Sequence, residues 1–221
     1  MTITTDRDLD VQTLVSEELE WTPDVDAAGI GVAVENGTVA LSGEVDSYAE
    51  RLAARRAALR VRGVRAVVDH LTVHPKAAWP VTETDIAKQV ERALSGASNV
   101  PGTVKAEIHQ HSVTLVGEVD WDFQRLAAQR AVQYLRGVHT VHNMISLKSR
   151  PSAPDTQVRI KNALTRNAQL DAKRIRVIVS GSKVILTGTV KSWAERTQAG
   201  HAAWASPHVS DVDNQITVRP Y

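Results

Sequence analysis

The sequence predicts an α+β protein made of three tandem small αββαβ domains, each a three-stranded sheet with two helices on one face. Three observations lead there. The segment Val39-Ala-Leu-Ser-Gly-Glu-Val45 returns as Val113-Thr-Leu-Val-Gly-Glu-Val119 and as Val184-Ile-Leu-Thr-Gly-Thr-Val190. Its anchoring glycines, Gly43, Gly117 and Gly188, lie 74 and 71 residues apart, too far for a solenoid and suited to an array of domains. Each copy is also preceded by apolar alternation of period two and followed by an Ala- and Arg-rich helical stretch. The expected domains span 8–73, 85–148 and 155–219, with linkers at 74–84 and 149–154 that are stiffened by proline.

The elements follow in order. A first helix carries Val11, Leu14, Val15 and Leu19 after Asp8 or Asp10 in the first copy. It carries Ile86, Val90, Ala93 and Leu94 after Thr82-Glu-Thr-Asp85 in the second, and Ile160, Ala163 and Leu164 after Asp155 in the third. Ser, Thr and Asp at such starts accept from the free N–H groups of the first turn. A strand comes next, its inward residues being Ile30, Val32 and Val34, then Val104, Ala106 and Ile108, then Ile175, Val177 and Val179. Asn36-Gly37 is a strong type I′ hairpin signal, and Gln110-His111 and Ser180-Gly181-Ser182 take its place by register. The repeated glycine is expected at the end of the second strand, where a side chain would obstruct a turn or a close helix. Ser47-Tyr-Ala-Glu50 and Ser192-Trp-Ala-Glu195 are capping boxes opening the second helix, and Asp120 stands there in the second copy. Gly63 and Gly137 suit the left-handed end of that helix, while the third copy has His208. The last strand pairs valines with Asp69, Asn143 or Asn214 and closes each unit.

Composition narrows the function. There is no cysteine, which excludes disulfides, thiolate metal sites and cysteine nucleophiles. The N-terminus has neither the basic nor the apolar region of a signal peptide, and no apolar run reaches the ~18 residues of a membrane span. The expectation is a cytoplasmic protein, at most peripheral to the inner membrane. The copies differ in charge. Residues 8–73 hold 6 basic against 12 acidic side chains (−6), 85–150 hold 8 against 6 (+2), and 155–219 hold 10 against 5 (+5).

The Val-x-Leu-x-Gly-x-Val core, the following Ala/Arg helix, Gly63-Val64, Gly137-Val138 and the closing Val-x-x-Val-x-Asn/Asp-x-Ile/Leu strand resemble the BON family, the bacterial osmotic-shock and nodulation domain. The resemblance covers nearly the whole chain as three copies. It implies a small helix-and-sheet domain that binds phospholipid membranes or other interfacial ligands in envelope stress, with no shared catalytic residues. The third copy departs from the pattern by lacking the second glycine.

No catalytic motif is present: neither a nucleophile elbow, nor a zincin helix, nor a phosphate or dinucleotide loop. His109, His111, His139 and His142 fall in one copy without four ligands at convergent spacing, so no metal and no cofactor is expected. Arg51, Arg125 and Arg196 share one position early in the second helix, beside Tyr48, Trp121 and Trp193. Two readings stand for them: a grip on an anionic membrane, or arginines that lie along the helix and pair with a nearby carboxylate. Asp69, Asn143 and Asn214 share a face with apolar neighbours, which suits a cap satisfying adjacent backbone more simply than a ligand site. In the third copy, Arg174, Arg176, Ile178, Lys183 and Ile185 are expected on the sheet face away from the helices. That face suits an anionic phospholipid surface, or cover by the acidic first copy within or between chains. Nucleic acid is disfavoured, since no aromatics interleave the basic residues.

Overall fold

The computed structural model describes residues 6–76, 81–149, 153–167 and 172–219. Domain 1 comprises α1 (Asp6–Glu20), β1 (Ile30–Glu35), β2 (Thr38–Val45), α2 (Tyr48–Arg60) and β3 (Ala66–Val73). Domain 2 comprises α3 (Glu83–Gly96), β4 (Lys105–His109), β5 (Ser112–Val116), β6 (Glu118–Val119), α4 (Asp122–Val132), β7 (Thr140–Asn143) and β8 (Ser146–Leu147). Domain 3 comprises α5 (Thr156–Arg166), β9 (Ile175–Ser180), β10 (Lys183–Val190), α6 (Trp193–Trp204) and β11 (Asp211–Val218).

The hairpin strand pairs antiparallel, and the helical crossover returns the last strand parallel, so the repeated Val-x-Leu strand is central in every domain. Central position explains its composition: Val39, Leu41, Val113, Leu115, Val184 and Leu186 are all fully buried. β1, β4 and β9 are edge strands: Val34, Ile175 and Val177 are still buried, while Ile30, Val32, Ala106, Ile108 and Val179 are only partly covered. The second helices approach the sheet closely because Ala54, Ala57, Ala58, Ala128, Ala199 and Ala203 present nothing larger than a methyl there. Leu14, expected in the first-helix stripe, is instead 46% exposed, leaving Val11, Val15 and Leu19 to make the contact. Domain 2 departs from the single three-stranded sheet expected: β4-β5-β7 and β6-β8 are separate sheets. The separation is a local loosening, because Met144 N and Ser146 N still donate to Leu115 O and Gly117 O at 2.8 and 2.9 Å.

Two local assignments change. Asp8 lies in the first turn of α1 rather than ahead of it. It is buried, and its carboxylate accepts from Asn36 N and Gly37 N, both at 3.0 Å, so it satisfies the hairpin turn on the far side of the core. The repeated glycine does not end a strand in domains 1 and 3 but lies within β2 and β10. Its φ is +119°, +128° and +132° at Gly43, Gly117 and Gly188. A Cβ there would sit 2.1 Å from Gly29 O, 2.4 Å from Thr103 O and 2.0 Å from Arg174 O. The constraint comes from the carbonyl of the residue leading into the paired strand, not from a turn or a helix. Gly63 and Gly137 also hold positive φ, in the turn that follows the second helix.

Candidate functional site

The arginine shared by the three second helices and the Asp/Asn of the closing strand meet in each domain. Arg51 Nε lies 3.1 and 3.0 Å from the two Asp69 carboxylate oxygens, with side chains 25% and 16% exposed. Asp69 in turn accepts from Leu71 N at 3.1 Å. In domain 3 the polarity is rearranged: Arg196 donates to Ile216 O and Asn214 O, while Asn214 Nδ2 donates to Arg196 O at 3.0 Å. Domain 2 keeps half of this. Asn143 Nδ2 donates to Arg125 O, and the Arg125 guanidinium pairs with Asp122. In all three domains the Asp/Asn also accepts from the backbone two residues on. The carboxylate-pairing reading therefore describes Arg51 and Arg125, and backbone bonds describe Arg196. The Arg51 and Arg196 guanidiniums held this way clasp helix to strand, that of Arg125 is held within α4, and a membrane headgroup would have to break these bonds.

Two of the aromatic residues beside these arginines, Tyr48 and Trp193, sit at domain boundaries. Tyr48 is 9% exposed and joins the core of domain 2, with Leu52 and Val73 packed beside it. Arg125 Cζ stands 4.5 Å from the ring centroid of Trp204 on α6, a cation–π contact from domain 2 to domain 3. α2 also lies against α6, and a cleft of about 310 Å³ there is lined by Leu59–Val64 and Lys191–Trp193. Trp193 also lies 5.1 Å beneath Arg196, and its indole nitrogen is buried without a partner among the described residues. Trp121 is half-buried at the start of α4, where its N–H and that of Asp120 bond Gln124 Oε1. Each domain thus touches the other two through its helix layer. Sequence reasoning placed these side chains together but had no means of seeing the neighbouring domain.

The sheet faces point away from the helices. On domain 3, Arg176 and Ile178 are exposed, the latter at 43%, and Ile185 is half-buried beside them. Arg174 is exposed at the entry to β9 and already engages a neighbour. Lys183 pairs with Asp211 at 3.2 Å. The register of β11 brings Asp211 and Asp213 opposite Lys183 and Ile185 on the same face, which the reading of β9 and β10 alone left out. The face is therefore mixed in charge around an apolar centre. Arg176 and Ile178 stay exposed, and among the described elements domains 1 and 3 meet through α2 and α6.

Domain 2 holds one titratable cluster. His111 and His139 stack with centroids 4.6 Å apart, and His111 Nδ1 lies 2.9 Å from Gly137 O. Burial, then the His111 and His74 charges, depress the His139 pKa below its ordinary 6.5. Above that value both folded and unfolded chains carry neutral imidazole. As pH falls below it, the unfolded chain takes up the proton first, so stability declines until the lower native value is passed. Melting curves from pH 7.5 to 5.0 are expected to show wild type losing more stability than His139→Gln only below about pH 6.5. Among the described residues, no group of three or more His, Cys, Asp or Glu is placed to hold a metal, and no helix is long and apolar enough to cross a membrane.

The BON domain profile matches residues 7–75, 82–149 and 152–220. The chain belongs to the BON family. Its three BON domains account for almost all of the sequence, as a non-identical triplet on one scaffold. No curated protein matches the chain. Among solved structures, it is similar to the C-terminal domain of CdsD, the structural protein of the Type III secretion system of Chlamydia trachomatis. That likeness has 10% identity, 96% coverage of this chain, 98% of the other and a TM-score of 0.27. A second CdsD structure gives 12% identity, 96% and 93% coverage and the same TM-score.

Proposed function

We propose that this tandem BON protein is a non-catalytic binding protein whose third domain docks on an anionic phospholipid surface. The observation that carries the reading is Ile178, open to solvent beside Arg176, on the sheet face of the domain with a net charge of +5. An apolar side chain with a cation beside it gains from both headgroup charge and the acyl boundary, each cation adding about 1 kcal/mol. The packing between domains supports it from the other side. The arginines and aromatics of the second helices are engaged within the protein, which leaves the sheet faces for a partner. The family resemblance adds stress adaptation as the setting. Co-sedimentation with phosphatidylglycerol vesicles is expected to show binding that falls with salt, drops about tenfold in Arg176→Glu/Ile178→Asp, and is absent on phosphatidylcholine. No binding to either vesicle overturns it.

A second reading has its own observation. The Lys183–Asp211 pair and Asp213 put acids on the same face, a pattern that suits a mixed-charge protein surface and repels an anionic membrane. Under it, the vesicles are ignored, and a photo-crosslinker replacing Ile178 yields a discrete protein adduct in the producing cell.

A further inference from the structure

The three domains seal their edge strands differently. In domain 1, Gln12 Nε2 on α1 donates to Val32 O of β1 at 2.9 Å, and in domain 3 Gln157 Nε2 on α5 donates to Val177 O of β9 at 2.9 Å. Val32, Ala106 and Val177 are equivalent, since each pairs with the leucine of the central strand, Leu41, Leu115 or Leu186. Aligning the buried helix residues Val15, Val90 and Ile160 makes Ala87 the counterpart of the two glutamines. Domain 2 has therefore lost side chain on both sides of one contact, glutamine to alanine on the helix and valine to alanine on the strand. A groove of about 600 Å³ opens there, lined by Ala87, Val90, Leu94, Ala106 and Ile108.

The strand beneath it is an unpaired edge among the described residues. The two-residue turn Gln110-His111, with φ of +46° and +64°, is closed by the pair His109–Ser112. Alternation along an antiparallel ladder then turns the N–H and C=O of Ala106 and Ile108 away from β5 and toward the groove. In domain 1 the corresponding carbonyl is the one that Gln12 reaches from outside. Exposed edges of this kind invite another strand, and the glutamine bridge is one way to blunt them.

We propose that β4 pairs antiparallel with β4 of a second copy of this chain, centred on Ala106. The charges select that partner and register. Lys105 and Glu107 are exposed on the sheet face, and no ion pair engages either among the described residues. With Ala106 opposite Ala106, Lys105 of each copy faces Glu107 of the other, twice over, and Val104 faces Ile108 on the helix side. The interface is isologous, as a twofold dimer requires. Its axis stands perpendicular to the sheet, so both α3 helices lie on one side, and each covers the other's groove. The equivalent register in domain 1 sets Gly31 against Ala33, and in domain 3 Arg176 against Ile178, with no charge complement in either.

The dimer stands on domain 2 and does not rest on membrane docking by domain 3. Sedimentation equilibrium of the full chain over about 10–500 µM tests it, a range suited to a small interface. The apparent mass is expected to climb from 24.1 kDa toward twice that value. Ala87→Gln, which installs the residue the other two domains use, is expected to weaken association about tenfold or more. Lys105→Glu sets like charges face to face and is expected to do the same, while Lys105→Glu/Glu107→Lys restores association to within about threefold of wild type. Circular dichroism establishes that each variant is folded, and Arg176→Glu leaves the dimer unchanged. A wild-type mass that stays at 24.1 kDa across the range overturns the proposal, as does association that neither Ala87→Gln nor Lys105→Glu affects.

Discussion

Gly188→Ala is expected to unfold domain 3, or leave it on the verge. The added Cβ would lie 2.0 Å from Arg174 O, a backbone atom fixed by the start of β9, and φ at +132° lies in a region that L residues avoid. Strain alone costs about 1–3 kcal/mol, and relief of the clash has to part β9 from β10. A domain of this size holds roughly 3–10 kcal/mol in total, so the margin is largely consumed. Urea denaturation followed by the fluorescence of Trp193 and Trp204 reads the effect. Gly181→Ala is the control: φ is +59° and nothing lies within 4 Å of the new methyl, so a loss of about 1–2 kcal/mol is expected. Equal losses in the two variants would show that positive φ, and not the approaching carbonyl, explains the repeated glycine.

Tyr48→Ala is expected to uncouple domain 1 from domain 2. The ring starts a helix of domain 1 yet packs into the core of domain 2, so its removal leaves a void shared by both. Truncating a buried aromatic costs about 3 kcal/mol. Here the loss falls on the contact between domains, and calorimetry is expected to resolve an early transition that wild type lacks. Tyr48→Phe keeps the packing and is expected to melt like wild type. A single transition unchanged in Tyr48→Ala would mean that the domains are held together elsewhere, for example by Arg125 on Trp204.

The fold was legible because its signals are short-range. Alternation at Ile175, Val177 and Val179, a helical stripe at Ile86 and Val90, and Asn36-Gly37 between two strands each depend on a few adjacent residues. Triplication let every weak copy borrow from a clear one: Gln110-His111 reads as a turn only because Asn36-Gly37 stands in its register. Where two elements had to be combined, the reading thinned. Asp8 reads as a cap for its own helix, yet its carboxylate reaches Asn36 and Gly37, 28 and 29 residues away in the hairpin turn. Asp211 and Asp213 join the domain 3 face only through the pairing of β11 with β10, which parity along β9 and β10 does not report. The edge-strand glutamines left no local signal at all, since Gln12 and Gln157 read as ordinary helix-surface residues.

The candidate site divides along the same line. Chain periodicity was enough to determine three BON domains on one scaffold, to place Arg51, Arg125 and Arg196 at one position, and to show that charge drifts from acidic to basic. It could not determine which of those side chains remain free. Tyr48 meets the core of domain 2, and Arg125 meets Trp204 some 79 residues along the chain. Such contacts depend on how the domains dock, and no pattern of period 2 or 3.6 records that. The physical reason is one of range: backbone geometry repeats within a few residues, so sequence spacing reports it. Burial between domains arises from shape and charge over whole surfaces, and only the tertiary structure decides which faces are left open.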